Sequence, residues 1–241
     1  MEKIKIKLRT QSNLIIGGTP NSFEIGGVDM TTALDHRGAP CIPASSLKGT
    51  LRRIVRELQE EGNTIAIWFT DIYKDYFTRL LNEIDRKGIS EDKLQKTKEA
   101  LEEVRNNCSA EYLFGIQKVN RSPKFIFSDL QIEEEFIEKK KEFFSIDTKN
   151  AITLNNDGTI SSNPRTYKTI RPEVTFHGEI WFQGSEQLCK ENSKVSKEEV
   201  EKEVLELLKE VFEELNSGIY RMGNSGSRGY GKVHVDIIKG E

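Results

Sequence analysis

The chain has 241 residues, of which 31% are charged, and its formal net charge is −3 at pH 7. This length suits one elaborated domain or two small ones, and the small net charge gives no overall indication of a nucleic-acid partner. The three cysteines and three histidines are scattered, so they form neither a zinc-ligand spacing nor a disulfide framework. No apolar run reaches membrane-spanning length. We therefore expect a cytoplasmic protein without a membrane partner.

The first half of the sequence predicts one strand followed by several helices. It begins with KIKIKLRT, in which apolar and basic residues alternate, as is typical of a half-buried strand. A Gly-rich stretch follows, and leucines and isoleucines then recur at helical spacing from about Ser45. Residues 60–107 continue as a charged helical pattern that is broken at Gly62 and Gly88.

The second half predicts strands on either side of a hairpin, and then a helix and a last strand. KFIFSDLQI (124–132) and EVTFHGEIWF (173–182) have strand patterns, while EEEFIEKKKEFF (133–144) has the spacing of a short amphipathic helix. The polar segment 145–172 contains Asn-Asp-Gly, which favours a hairpin turn. The longest helical pattern ends at Gly218, and KVHVDII then alternates as the final strand.

The order strand, helix, strand, strand, helix, strand is that of the ferredoxin-like arrangement. We therefore predict an α+β fold with a ferredoxin-like (RRM-like) βαββαβ core, formed as a single domain over residues 1–241. The helical segment at about 60–110 and the thumb-like β-hairpin at about 145–172 would be insertions into this core.

The loop GNSGSRGYGKV (223–233) resembles a nucleotide-binding P-loop but lacks its context. A P-loop follows a strand and opens a helix, whereas here a helix precedes and a strand follows, and Val233 has no hydroxyl for magnesium. We therefore do not expect it to bind ATP. The loop is rich in glycine and contains Arg228 and Lys232 but no acid, so it is either an anion-binding nest or a flexible turn.

Two further segments are basic. Lys48, Arg52 and Arg56 recur every four residues along the first predicted helix, and Ser45 and Ser46 are natural N-cap residues at a helix start that could bind phosphate. The alternative for this stripe is a solvated face. The segment 160–172 is also basic and without acid, whereas the last helix is acidic. This segregation indicates a groove that follows the backbone of a single-stranded nucleic acid.

Six segments occur in the order found in the RAMP superfamily: IGGTPNSFEIGGVD, IPASSLKGTLR, YLFG, KFIFSDL, NPR and GNSGSRGYGKV. The chain most resembles the backbone, guide-RNA-binding subunit of type III CRISPR effector complexes, in particular that of the Csm type. The resemblance extends from about Leu14 to Val233, and its specificity comes from the order of the six segments.

The resemblance implies a CRISPR subunit of antiviral defence that stacks along a guide RNA with copies of itself and other effector subunits. It implies a thumb hairpin that splays the guide–target duplex, and an endonuclease activity that hydrolyses target RNA with a divalent metal, Mg or Mn. The catalytic and metal-binding residue would be Asp29, in GGVD. The RNA contacts would be Gly17, Gly18, Ser45, Ser46, Lys48, Arg52, Arg165, Gly223, Gly226, Arg228, Gly229 and Gly231.

The residues also leave other functions open. Asp29 could be an ordinary turn residue after two glycines. The family commonly has His in place of Ile15 and Asn or Ser in place of Met30, so a paralogue that binds RNA without cutting it is an alternative. A guide-processing endoribonuclease with His36 as catalyst is another, although such relatives usually contain two ferredoxin-like domains and only one is predicted here.

Overall fold

The computed structural model describes residues 3–17, 29–84, 91–133, 143–154, 158–189 and 195–238. The strands in these ranges are β1 (Ile4–Thr10), β2 (Met30–Thr31), β3 (Lys124–Phe127), β4 (Phe144–Leu154), β5 (Ile160–Ile170), β6 (Thr175–Gln183) and β7 (Val233–Ile238). The α-helices are α1 (Ala44–Glu60), α2 (Thr64–Glu83), α3 (Glu91–Asn106), α4 (Ser185–Leu188) and α5 (Lys197–Ser217). Short 3-10 helices cover Ala110–Phe114 and Gly226–Arg228. None of the described helices is both long and apolar enough to cross a membrane.

The main sheet has the strand order β3-β6-β1-β7. Strand β1 lies antiparallel to both β6 and β7, and its residues alternate between buried and exposed. Taken with α1 and α5, these four strands have the order and directions of a ferredoxin-like βαββαβ core. The predicted α+β fold is therefore confirmed.

The predicted hairpin is formed by β4 and β5. The two strands pair in continuous antiparallel register from Phe144–Ile170 to Leu154–Ile160. The short strand β2 pairs in parallel with β5, which gives a second sheet of order β2-β5-β4. Because paired residues share a face, the register places Asp147 and Lys149 of β4 on the same face as Arg165 of β5.

The chain divides into two compact units, each with its own core. The helical unit comprises Met1–Lys3, Leu51–Ile126 and Trp181–Val211, and the hairpin unit comprises Ile4–Thr50, Phe127–Ile180 and Phe212–Glu241. Fully buried side chains of the helical unit include Phe69, Tyr73, Phe77, Phe114 and Phe182. Those of the hairpin unit include Ile6, Leu8, Ile15, Ile42 and Phe176. The single domain over residues 1–241 stays a prediction.

Helix α1 starts earlier than its serines suggest. It begins at Ala44, so Ser45 and Ser46 lie in its first turn, and the prediction that they are N-caps is wrong. The carboxylate of Asp129 accepts the Ala44 N–H at 2.8 Å instead. The free N–H groups at the start of α1 therefore gain a hydrogen-bond acceptor from a distant segment. The local sequence could not reveal this acceptor.

Three other predicted elements can be compared with the structure at their ends. Strand β3 ends at Phe127, and Leu130 and Gln131 continue only as isolated bridges. The predicted helix over 133–144 falls largely on residues 134–142, which lie outside the described residues. Gly218 follows α5 with a φ of +83°, which confirms the predicted C-terminal glycine.

Candidate functional site

A groove beside the middle of the hairpin collects three cationic side chains of the hairpin unit. It has a volume of about 410 Å³ and is lined by Lys149, Asn150, Arg165, Tyr167 and Arg228. We call this surface the basic groove. Lys149 and Arg165 are cross-strand partners in β4 and β5, and Arg228 comes from the glycine-rich loop. Three cations around a groove favour a polyanion such as a nucleic-acid backbone.

The groove joins two predicted RNA contacts, Arg165 and Arg228, to two residues that sequence reasoning missed, Lys149 and Asn150. The signal that could have found Lys149 is the hairpin register, because a turn centred on Asn-Asp-Gly pairs Lys149 with Arg165. Without that register, the sequence does not distinguish Lys149 from the many other lysines of the chain.

The side chain of Asp147 connects the hairpin to the glycine-rich loop. Its Oδ2 accepts hydrogen bonds from the hydroxyl of Tyr230 and, at 2.8 Å, from Nδ2 of Asn13. The ammonium group of Lys149 lies over the Tyr230 ring, 3.7 Å from the ring centroid. Burial and the hydrogen bond to Asp147 raise the pKa of Tyr230 to about 12, so its hydroxyl remains a donor at neutral pH.

Asp29, the predicted catalytic residue, is fixed to strand β5. Its carboxylate accepts the N–H of Thr166 at 2.6 Å, and its own N–H donates to the Thr166 carbonyl at 2.9 Å. The residue is exposed, and its strand neighbour Thr166 directly follows Arg165 of the basic groove. The carboxylate is therefore held in solvent, at a strand that also carries a cation.

The residue after Asp29 anchors this segment by packing. Met30 lies against a buried cluster of Ile15, Tyr167 and Tyr230. Ile15 and Met30 are two of the positions at which the sequence departs from the RAMP pattern, and they meet in one apolar cluster. The departures therefore replace polar residues with packing that holds the Asp29 segment.

The donor set around Asp29 fits a divalent cation only in a largely hydrated form. One carboxylate oxygen is engaged by Thr166, which leaves the other to face solvent. Within the described ranges there is no group of three or more His, Cys, Asp or Glu side chains that could enclose a metal. Mg²⁺ commonly binds through one or two carboxylates together with water and substrate phosphates. Asp29 fits that mode, with RNA phosphates as the remaining ligands.

Two glycines of the loop are required by the protein's own backbone. Gly223 has a φ of +72°, and a Cβ at this position would lie 2.2 Å from the carbonyl oxygen of Ile15. Gly231 has a φ of +79°, and its Cβ would lie 2.1 Å from the carbonyl oxygen of Met222. These glycines were predicted to allow close approach of a phosphate. The structure gives them a further reason, which is close approach of the chain to itself.

The remaining predicted glycines differ from these two. Gly229 has a φ of +87°, and a Cβ added there would meet no atom within 4 Å, so the space beside it is open. Gly226 starts the 3-10 helix that carries Arg228, and its Cβ would lie 3.0 Å from Cβ of Arg221. Gly17 is exposed and bridges to Thr32, and Gly18 lies outside the described residues. Their contacts with RNA stay predictions.

The basic stripe of α1 is partly neutralised. Within the helical unit, Arg52 Nε and Arg56 Nη2 both donate to Oε1 of Glu111, at 2.9 and 2.7 Å. The two guanidinium groups, Arg56 foremost, lower the pKa of Glu111. Arg52 and Arg56 therefore share an acid from a segment that the helix pattern did not include, and contact of Arg52 with RNA stays a prediction. Lys48, with Ser45 and Ser46, belongs to the hairpin unit.

The outer face of the main sheet is mostly charged or polar in its hairpin-unit part. RRM sheets stack bases on aromatic side chains. In the described part of the hairpin unit, the residues that pair across β1 on this face are charged or polar apart from Ile238, and none is Phe, Tyr or Trp: Lys5, Lys7, Arg9, Thr175, His177, Glu179, His234, Asp236 and Ile238. Farther along β6, in the helical unit, the ring of Trp181 is covered by the ammonium group of Lys3 at 5.3 Å. The basic groove is therefore the better candidate for a nucleic-acid interface.

His36, the alternative catalyst, is exposed in a turn closed by the Gly38 N–H donating to the Asp35 carbonyl at 3.0 Å. The carboxylate of Asp35 binds the side chain of Arg37 at 2.7 Å rather than the imidazole. Among the described residues, nothing in this turn activates His36 as an acid or base.

Comparison with known proteins gives one family match. The family model of the RAMP superfamily matches residues 7–234. The chain is 25% identical over 235 residues to the CRISPR system Cms endoribonuclease Csm3 of Methanocaldococcus jannaschii, covering 96% of this chain and 77% of that protein. It is 24% identical over 243 residues to the protein of the same name from Streptococcus thermophilus, covering 98% of this chain and 88% of that one.

A solved structure has a related fold. It is a chain of a type III-B Cmr-beta complex bound to cognate target RNA, with a TM-score of 0.51 and 17% sequence identity. The match covers 98% of the present chain and only 60% of that chain. At this identity the likeness supports the fold alone.

Proposed function

The chain belongs to the RAMP superfamily, and we propose that it is a CRISPR RNA-binding backbone subunit of a type III effector complex. In this role copies of it stack along the guide RNA, together with other effector subunits, and cleave complementary target RNA with a divalent metal. Two relatives that carry the name endoribonuclease Csm3 and cover nearly the whole chain support this assignment.

The observation that carries the proposal is the position of Asp29. Its carboxylate is fixed to Thr166 on the strand that also presents Arg165 to the basic groove. A lone carboxylate repels RNA, so an exposed one held at the strand that carries Arg165 is unfavourable for binding alone. Such a carboxylate is useful where a cation or a reacting phosphate has to be positioned.

The residues of this chain can supply binding and orientation. Lys149, Arg165 and Arg228 neutralise backbone phosphates in the basic groove. The Thr166 N–H fixes one oxygen of Asp29, so that the other oxygen keeps a constant direction. A bound divalent cation would neutralise charge that develops on the phosphate oxygens. RNA brings its own nucleophile, the 2′-hydroxyl, so positioning is the main task left to the protein.

A second candidate is a subunit that binds RNA without cutting it. The single carboxylate at the site, with no enclosing metal ligands among the described residues, favours this candidate. The two candidates predict the same RNA binding and differ only in cleavage.

The test is reconstitution of the complex with a guide RNA and a labelled complementary target. We expect cleavage with Mg²⁺ or Mn²⁺ and none after chelation, with a non-complementary RNA left intact. Binding of the target without cleavage in either metal would favour the non-cutting subunit. Failure to bind the guide would contradict both candidates, and cleavage of guide precursors by the isolated chain would favour a guide-processing enzyme.

A further inference from the structure

Tyr230 lies between an acid and a base of the same strand. Its hydroxyl donates to Asp147, and Lys149 Nζ lies 3.7 Å from the centroid of its ring. Asp147 and Lys149 are two residues apart in β4, so they project from one face, with backbones separated by roughly 7 Å. A lysine side chain spans that distance easily. Without a group between them, the two charges would form an ion pair.

Asp147 and Tyr230 are both held in place. Asp147 also accepts hydrogen bonds from Asn13 at 2.8 Å and from Ser145 at 3.4 Å, so its carboxylate is satisfied without Lys149. The Tyr230 ring is 7% exposed and packs with Ile15 and Tyr167, so its position is fixed. The ring attracts the ammonium group of Lys149 but carries no net charge. The ring therefore holds Lys149 at the groove without supplying a negative charge to pair with it.

We propose that Tyr230 is a positioning residue that prevents Asp147 from neutralising Lys149, and so keeps the Lys149 ammonium available for an RNA phosphate in the basic groove. The inference rests on the proposed RNA-binding function. It explains why an acid stands beside three groove cations: Asp147 joins the hairpin to the loop, and Tyr230 separates its charge from the groove.

The first experiment measures binding of a labelled single-stranded RNA by the full chain over a range of salt concentrations. Tyr230→Phe keeps the ring but removes the hydroxyl that donates to Asp147. The ammonium group of Lys149 can then turn to the Asp147 carboxylate in place of that hydroxyl. The affinity should fall about fivefold, and the slope of log K against log salt should become smaller by about 0.7, the value for one phosphate contact. Lys149→Ala should likewise lower the affinity and reduce the slope of log K against log salt.

Combined variants distinguish positioning from a structural role. Tyr230→Phe should weaken binding no further when Lys149 is already Ala. Adding Asp147→Asn to Tyr230→Phe should restore the affinity to within about twofold of wild type, because the competing charge is gone. If Tyr230→Phe weakens binding by the same factor in the Lys149→Ala background, or if Asp147→Asn does not restore it, the inference is wrong.

A second experiment does not depend on RNA. In protein with ¹³C-labelled lysine, the side-chain signals of Lys149, assigned with Lys149→Arg, should be shifted by the ring current of Tyr230. Tyr230→Phe should reduce this shift as Lys149 leaves the ring, and adding Asp147→Asn should restore it. An unchanged signal in Tyr230→Phe would overturn the inference. If the wild-type chain did not bind RNA, the proposed function would be contradicted. The lysine signals would still decide the role of Tyr230, because they are measured without RNA.

Discussion

The carboxylate of Asp29 accepts the backbone N–H of Thr166 at 2.6 Å, although 137 positions separate the two residues in the sequence. The Thr166 carbonyl in turn accepts the N–H of Asp29. This reciprocal pair fixes the predicted catalytic residue to the hairpin strand. The orientation of Asp29 therefore depends on the hairpin being correctly folded.

The glycine-rich loop gives a prediction about stability. Alanine at Gly223 or Gly231 should lower the free energy of unfolding by more than about 2 kcal/mol, because left-handed strain alone amounts to roughly 1–2 kcal/mol and a Cβ would also meet a backbone oxygen. Gly229→Ala is the matched control, since it has the same strain in open space. Urea unfolding measures the three variants. Equal losses in all three would show that the close backbone approaches do not matter.

The shared acid of α1 gives a prediction about pH. The two arginines lower the pKa of folded Glu111 from its ordinary value of 4.5, so its ionised form contributes stability above that pH. The contribution is lost as the pH falls through the lowered pKa. Glu111→Gln should therefore lower the free energy of unfolding by about 1 kcal/mol at pH 7, with Glu111 only 16% exposed.

The difference in unfolding free energy between wild type and Glu111→Gln should shrink as the pH falls below 4.5, and it can be followed by urea unfolding from pH 7 to pH 3. A difference that stays constant over this range would mean that the charge of Glu111 is not what stabilises the protein. Glu57→Gln serves as a comparison, because its carboxylate lies 3.8 Å from Nε of Arg53 and is half-exposed.

The basic groove gives a prediction about RNA affinity. Arg165→Ala and Arg228→Ala should each reduce the salt dependence of RNA binding by about 0.7 and weaken all single-stranded sequences alike, because they remove phosphate contacts. Arg52→Ala should have a smaller effect, since Arg52 is already paired with Glu111. Fluorescence anisotropy at several salt concentrations measures all three. An effect of Arg52→Ala as large as that of Arg165→Ala would place the main contact on α1 instead.

The periodic features of the fold could be predicted from the sequence. Alternation in KIKIKLRT indicated β1, and Asn-Asp-Gly indicated the hairpin, because local residue chemistry determines both. The order of elements then sufficed for the ferredoxin-like arrangement. The family resemblance, rather than any periodicity, identified Asp29.

The connections between distant segments could not be predicted in the same way. Asp129 at the start of α1 and Glu111 beside Arg52 come from segments far away in the sequence. The contacts of Tyr230 with Asp147 and Lys149 depend jointly on the hairpin register and the loop conformation. Single-sequence patterns contain no such long-range information, so neither the pairing of Arg52 with Glu111 nor the place of Lys149 in the basic groove was predicted.

The central claim is that the charge of Asp29 is required for cutting but not for binding. Asp29→Asn keeps an oxygen that can accept the Thr166 N–H and removes the charge, while Asp71→Asn makes the same change on the exposed face of α2 as a control. The most direct measurement is the rate of single-turnover cleavage of a labelled complementary RNA by the reconstituted complex with Mg²⁺ or Mn²⁺. We expect unchanged guide and target binding, a loss in rate of about a hundredfold or more for Asp29→Asn, and no loss for Asp71→Asn. Cleavage by Asp29→Asn at the wild-type rate would contradict the claim.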